Sequence, residues 1–143
     1  MMRMVVRLAA ALATLAVFAT AAQSMANYRW KKRPLVVFAE SDGSPLLAEQ
    51  RQIVSRNRSD LNKRDVVVVW VIGSSLSTEL GPPPSSNATS LRARYNVADG
   101  EFRAVLVGKD GREKLSSSKP LAAEKLFATI DAMPMRRDEM RRR

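Results

Sequence analysis

Two hydroxyls and a carboxylate crowd into Ser41-Asp42-Gly43-Ser44, directly after Glu40 and an apolar run, Leu35-Val36-Val37-Phe38-Ala39. A strand-to-helix junction of that composition suits a small polar ligand, because free backbone N–H groups there favour an anion and hydroxyls can assist. Glu40 and Asp42 oppose an anion with charge of their own. Ser44 also reads as a plain helix cap, since Pro45 follows it and proline suits the first helical position. Cap and ligand cleft both stand as readings of Ser41, Asp42, Gly43 and Ser44. Catalysis has less to work with, because the chain has no cysteine and no histidine. That excludes thiol–disulfide exchange, thiolate metal sites and iron–sulfur clusters. It also removes Ser-His and Cys-His relays and the imidazole proton shuttle. Carboxylates, Lys, Tyr and Ser are left as reactive groups, and no catalytic residue, cofactor or metal ligand is assigned.

Other motifs carry less. Ser116-Ser117-Ser118-Lys119 matches S-x-x-K, but its partner motifs are missing and the chain is too short for that enzyme fold, so it reads as a polar loop. Glu40, Asp42 and Glu49 have neither the acid count nor the glycine position of a calcium loop. Asn57-Arg58-Ser59 and Asn87-Ala88-Thr89 match the glycosylation sequon, and only Asn87 falls in a loop. Tyr28 and Trp30 stand among Arg29, Lys31 and Lys32, a mix that could anchor at a membrane interface or stack on sugars. The plainer expectation is that Trp30 packs against the end of a sheet.

The elements that must position these residues follow from periodicity. Leu35–Ala39 reads as a buried strand. From Ser44-Pro45, Leu46, Leu47, Gln50, Ile53, Val54 and Leu61 share one helical face, giving a helix of about 17 residues. Val66–Ile72 is apolar throughout, as in a strand covered on both faces. The three make a βαβ unit with parallel strands. Residues 73–90 are rich in Ser, Pro and Gly without a period and read as a flexible loop. A short helix follows over Ser90–Asn96, then a strand over Phe102–Val107. Gly108–Gly111 reads as a hairpin turn into a charged edge strand, Arg112–Leu115. Pro120 opens a closing helix with Leu121, Leu126, Phe127, Ile130 and Met133 inward, and Pro134 interrupts it.

Charge divides the chain differently. The formal charge is +10, but Pro34–Pro134 holds 13 basic against 12 acidic side chains. Of the excess, two charges are Arg3 and Arg7 near the N-terminus, four are Arg29, Lys31, Lys32 and Arg33, and three come from Arg136, Arg137, Arg141, Arg142 and Arg143 set against Asp138 and Glu139. Basic ends on a nearly neutral body suit attraction to an anionic surface, a phospholipid or an acidic polymer, better than nucleic acid. Because the first strand should start where the last helix ends, both groups should meet at one basic pole. The N-terminus adds an address: Met1–Arg7 carries two arginines, Leu8–Thr20 is uncharged, and small residues follow. This is the order of a secretory signal peptide over residues 1–26. Small-x-small cuts fall after Ala21 or after Ala26, and Ala26 is preferred because Asn27 opens a polar segment. The domain then runs over residues 27–134 with a basic tail over 135–143, and the protein is expected to be exported, to a periplasm or the medium.

The stretches YRWKKRPLVVFAESDGSPLLAEQ, KRDVVVVWVIG, FRAVLVGKDGREKL and PLAAEKLFATIDAMPMRRDEM resemble the DUF4174 family, a secreted, thioredoxin-like group. They are similar to a domain of animal extracellular proteins with sushi repeats and of Equarin-type matrix proteins. The resemblance implies an α/β, thioredoxin-like fold: a central four-stranded mixed sheet in the order β-α-β-α-β-β-α, flanked by helices. A redox-active thioredoxin would carry Cys-x-x-Cys where this chain has Ser41–Ser44, and residues 97–101 lack the proline that lines that active site. The implied function is a binding or scaffold module for an envelope or extracellular protein or an acidic polymer. The alternatives are a peroxiredoxin-like, stress-linked enzyme with a non-thiol site near Glu40–Ser44, and surface attachment through the basic termini. A hollow with convergent polar groups near Ser41–Ser44 would favour the enzyme; an edge filled by side chains would favour a scaffold.

Overall fold

The computed structural model describes residues 25–143. The leader expected over residues 1–26 lies outside them, apart from Met25 and Ala26. A 3-10 turn at Ala26–Tyr28 leads into strand β1 (Arg33–Ala39), and helices α1 (Pro45–Arg56) and α2 (Arg58–Lys63) connect it to β2 (Val66–Ile72). Then come β3 (Ser75–Glu79), α3 (Ala88–Tyr95), β4 (Arg103–Val107), β5 (Glu113–Ser117), α4 (Ala123–Asp131) and α5 (Pro134–Arg141). The five strands form one mixed sheet in the order β3-β2-β1-β4-β5. β1 and β2 run parallel with Leu35 opposite Val68 and Ala39 opposite Ile72, and the other pairs are antiparallel.

The unbroken apolar runs form the centre of the sheet because both faces are covered. On one face Leu35, Val37, Val66, Val68 and Trp70 pack with Leu47, Val54 and Leu61 of α1 and α2 and with Leu126 and Ile130 of α4. On the other, Val36, Phe38, Val67, Val69 and Val71 meet Leu91 of α3 and the N-terminal residues Met25 and Tyr28. Each such side chain taken wholly out of water contributes about 1.5–3 kcal/mol.

Several expectations need correction. The sheet has five strands, not four: β3 lies inside the segment read as a flexible loop, joined to β2 by the two-residue turn Gly73-Ser74, with Ile72 opposite Ser75. Gly73 takes φ +56°, which glycine adopts at no steric cost. The long helix is two, because the Asn57 side chain donates to the Ile53 carbonyl (2.7 Å) and its backbone leaves helical geometry. Ser116 and Ser117 belong to β5 and not to a loop. Pro120 does not open the closing helix, which begins at Ala123, while Pro134 begins a helix at its first position. Trp30 does not pack against the sheet; it is 60% exposed.

Candidate functional site

β1 ends at Ala39, α1 begins at Pro45, and the loop between them walls a cavity of about 430 Å³ with Gly100 and Phe102 from the approach to β4. Glu40, Ser41, Gly43 and Ser44 give it a polar side; Pro45, Leu46 and Phe102 give it an apolar one. The cleft residues anticipated at Ser41, Gly43 and Ser44 therefore come together on a hollow, not on a filled edge. Ser44 is also the helix cap: its Oγ accepts the Leu47 N–H at 3.3 Å. Asp42 turns away from the cavity lining and pairs with Arg51 (3.1 Å), which lies 5.7 Å over the Trp70 ring.

Glu40 sets the electrostatics. Its side chain is exposed and joins none of the ion pairs among the described residues. Gly100 (φ +81°) lies so close that a Cβ there would stand 3.8 Å from the Glu40 carboxyl carbon. The loop carrying Gly100 is pinned by Glu101, which accepts the Ala98 N–H (3.0 Å) and pairs with Arg103. The Ala98 N–H first, then Arg103, hold the Glu101 carboxyl below its ordinary pKa. Beneath the cleft, Arg92 of α3 donates to the Gly73 carbonyl (2.5 Å) and the Ala39 carbonyl (3.4 Å), tying together the ends of β1 and β2. The sequence holds no signal for Arg92 beyond its place in the last turn of a short helix.

The basic termini meet at the opposite end of β1, but as an ion-pair network. Arg33 is fully buried: its guanidinium donates to the Arg64 carbonyl (2.9 Å) and to both Glu139 oxygens (3.2 and 3.1 Å). Lys109 bridges Asp65 (2.8 Å) and Glu139 (2.6 Å). Arg136, also buried, holds Asp131 (3.3 Å) and the Lys63 carbonyl (3.2 Å). Arg33 and Arg136 therefore leave the set of surface cations, because each sits against a carboxylate inside the fold. Arg29, Lys31, Arg137, Arg141, Arg142 and Arg143 are exposed and Lys32 is half-buried. Trp30 projects beside them with Arg29 5.6 Å over its ring, and its N–H donates to the Lys109 carbonyl (2.7 Å).

Among the described residues no group of three or more acidic side chains could hold a metal ion, and no helix is long and apolar enough to cross a membrane.

A mixed α/β module with an acid-lipped cleft at one end of its sheet and a charge network at the other defines the class. Within that class, residues 24–139 match the family described as a domain of unknown function, DUF4174, and the chain belongs to it. It is similar to coiled-coil domain-containing protein 80 of Danio rerio, 26% identical over 133 residues, which covers 81% of this chain and 15% of that protein. The chain thus spans a small part of this relative's length. No solved structure matches it significantly.

Proposed function

We propose that this protein is an exported, thioredoxin-like binding module whose cleft at Glu40–Ser44 takes a ligand bearing a cationic or donor group beside an apolar portion. The parallel β1-α-β2 unit, the β4-β5 hairpin and the closing helix α4 support the thioredoxin-like reading, with β3 added at the edge beside β2. The signal-peptide order of residues 1–26 supports export to a periplasm or the medium. The observation that carries the ligand class is the unpaired Glu40 carboxylate at the lip of a cavity whose other side is Pro45, Leu46 and Phe102. A carboxylate there repels the anion that a bare helix start would attract, and Ser44 already occupies one of the helix's free N–H groups. Recognition is favoured over turnover because the cleft offers hydroxyls without an imidazole or thiol to activate them.

The probe is a pair of matched chains, hexylamine and hexanoate, followed by backbone amide NMR shifts. Hexylamine should move Ser41, Gly43 and Gly100, hexanoate should not, and Glu40→Gln should abolish the response. Equal shifts with both probes, or none, would remove the reading.

A second reading, attachment to an anionic polymer or lipid surface, is favoured by one observation: Trp30 is solvent-facing among Arg29, Lys31 and Lys32 in place of the packed position expected for it. The surface would comprise these four residues with the exposed arginines of the C-terminus, and exclude Arg33 and Arg136.

A further inference from the structure

We infer that the leader is removed upstream of Met25, after Ala21, so that Met25 stays in the mature protein. The inference rests on the export reading, but it takes its direction from the fold. Small-x-small spacing alone permits a cut after Ala21 or after Ala26. The two products differ in the five residues 22–26, of which Met25 and Ala26 are described.

Met25 is 3% exposed and belongs to the apolar cluster formed with Tyr28, Val36, Val67 and Leu91. Its carbonyl accepts the Tyr28 N–H (3.1 Å), and the Ala26 carbonyl accepts the Arg29 N–H (3.3 Å). These bonds form the 3-10 turn that carries Tyr28 into the core, where its hydroxyl donates to the Pro82 carbonyl (2.6 Å). A cut after Ala26 removes both acceptors and leaves a methionine-sized hole against the sheet. It also places a charged α-amino group on Asn27, next to the buried Tyr28. A cut after Ala21 disturbs none of this. Independently, the family match begins at residue 24, on the N-terminal side of Met25.

Processing precedes folding, so the peptidase itself does not sense the core. What distinguishes the cuts is the product: one folds with its N-terminal turn intact and the other without it. The hydrophobic segment also ends at Phe18, leaving Ala19-Thr20-Ala21 as a short small-residue stretch directly behind it.

The test is the N-terminal sequence and intact mass of the protein recovered from the exported fraction of cells expressing the full chain. The expected N-terminus is Ala22. Ala21→Asp should leave the unprocessed mass, and Ala26→Asp should leave processing unchanged. An N-terminus at Asn27, or a block by Ala26→Asp alone, overturns the inference while export stands. A wild-type chain found only at full mass overturns export and the inference together. Met25→Ser in the full chain separates the structural half: it should lower the midpoint of unfolding, and an unchanged midpoint counts against the inference.

Discussion

Gln50 and Leu121 exchange two hydrogen bonds across 71 residues: the side-chain amide donates to the Leu121 carbonyl at 3.1 Å, and the Leu121 N–H donates back at 2.7 Å. Gln50 is fully buried, so its amide stands in for a neighbouring strand and satisfies a loop backbone that water does not reach. It holds the approach to α4 against α1. Gln50→Met keeps the volume but orphans both Leu121 groups. Each buried polar group left unpaired costs about 1–3 kcal/mol, so urea unfolding should show a loss of roughly 2–6 kcal/mol with an unchanged slope. A loss under about 1 kcal/mol would mean that water replaces the amide.

Acid should loosen the C-terminal helix. Burial alone would raise the Glu139 pKa, but hydrogen bonds from Arg33 and Lys109 outweigh it and hold it below the ordinary 4.5. The Arg64 hydrogen bond, opposed by burial and aided by Arg136, holds Asp131 below 3.8. A carboxyl with a lower pKa in the folded chain contributes stability above its unfolded value, and that contribution fades as pH falls through the folded value. Thermal midpoints should therefore hold steady at neutral pH and decline below pH 4.5. Glu139→Gln should flatten that decline. At neutral pH it should cost about 3 kcal/mol, the low end for stranding a buried partner, here Arg33. A parallel decline in the variant would place the acid sensitivity elsewhere.

Alkali should act through the tyrosines. Burial pushes the hydroxyls of Tyr28 and Tyr95 above their ordinary value of 10, for Tyr95 against the pull of Arg94. A raised folded pKa gives stability that is complete below the unfolded value and lost as pH climbs through the folded one. Phenolate absorbance should stay absent at pH 10 and appear together with unfolding. Tyr28→Phe should remove part of that alkaline loss and cost roughly 1 kcal/mol at neutral pH, because the Pro82 carbonyl loses its donor. A phenolate signal at pH 10 in the folded protein would contradict this.

The centre of the fold was legible because Leu35–Ala39 and Val66–Ile72 are apolar at every position, and only a strand covered on both faces suits such a run. The edge was harder. Ser75–Glu79 has one aliphatic side chain, Leu76, and its alternation is too weak to register. Yet Gly73-Ser74, a two-residue hairpin signal, stood in plain view after the strongest strand. Ser41, Gly43 and Ser44 could be placed on the cleft because they sit where a strand hands over to a helix. For Gly100 only the thioredoxin resemblance, which sets residues 97–101 beside that site, gave a pointer, and for Phe102 nothing local says which loop it will face. Arg33 was read as a surface cation for the same reason: its partner Glu139 lies 106 residues away, and charge in a sequence does not reveal its neutraliser. Gln50 fell on the apolar face of its helix, and that placement was the one hint that its amide would be buried.

Trp30 holds φ +67°, in the left-handed region that a side chain enters at a cost, and it does so while 60% exposed. Its N–H bond to the Lys109 carbonyl fixes the backbone there, and the Arg29 guanidinium lies 5.6 Å over its ring. A glycine would adopt the same angle without strain, so Trp30→Gly should raise stability by about 1 kcal/mol. If Trp30 with Arg29 and Lys31 forms the surface that meets an acidic polymer, the same variant should elute from a heparin column at lower salt than the parent. Trp30→Gly carries the same net charge, so a drop in elution salt isolates the aromatic contribution from simple charge attraction. Stability that rises while elution stays put would leave the exposed indole without a part in polymer retention. A fall in stability would mean that the ring packs in solution. Tryptophan fluorescence offers an independent check: iodide should quench the Trp30 emission and spare Trp70, which is 6% exposed.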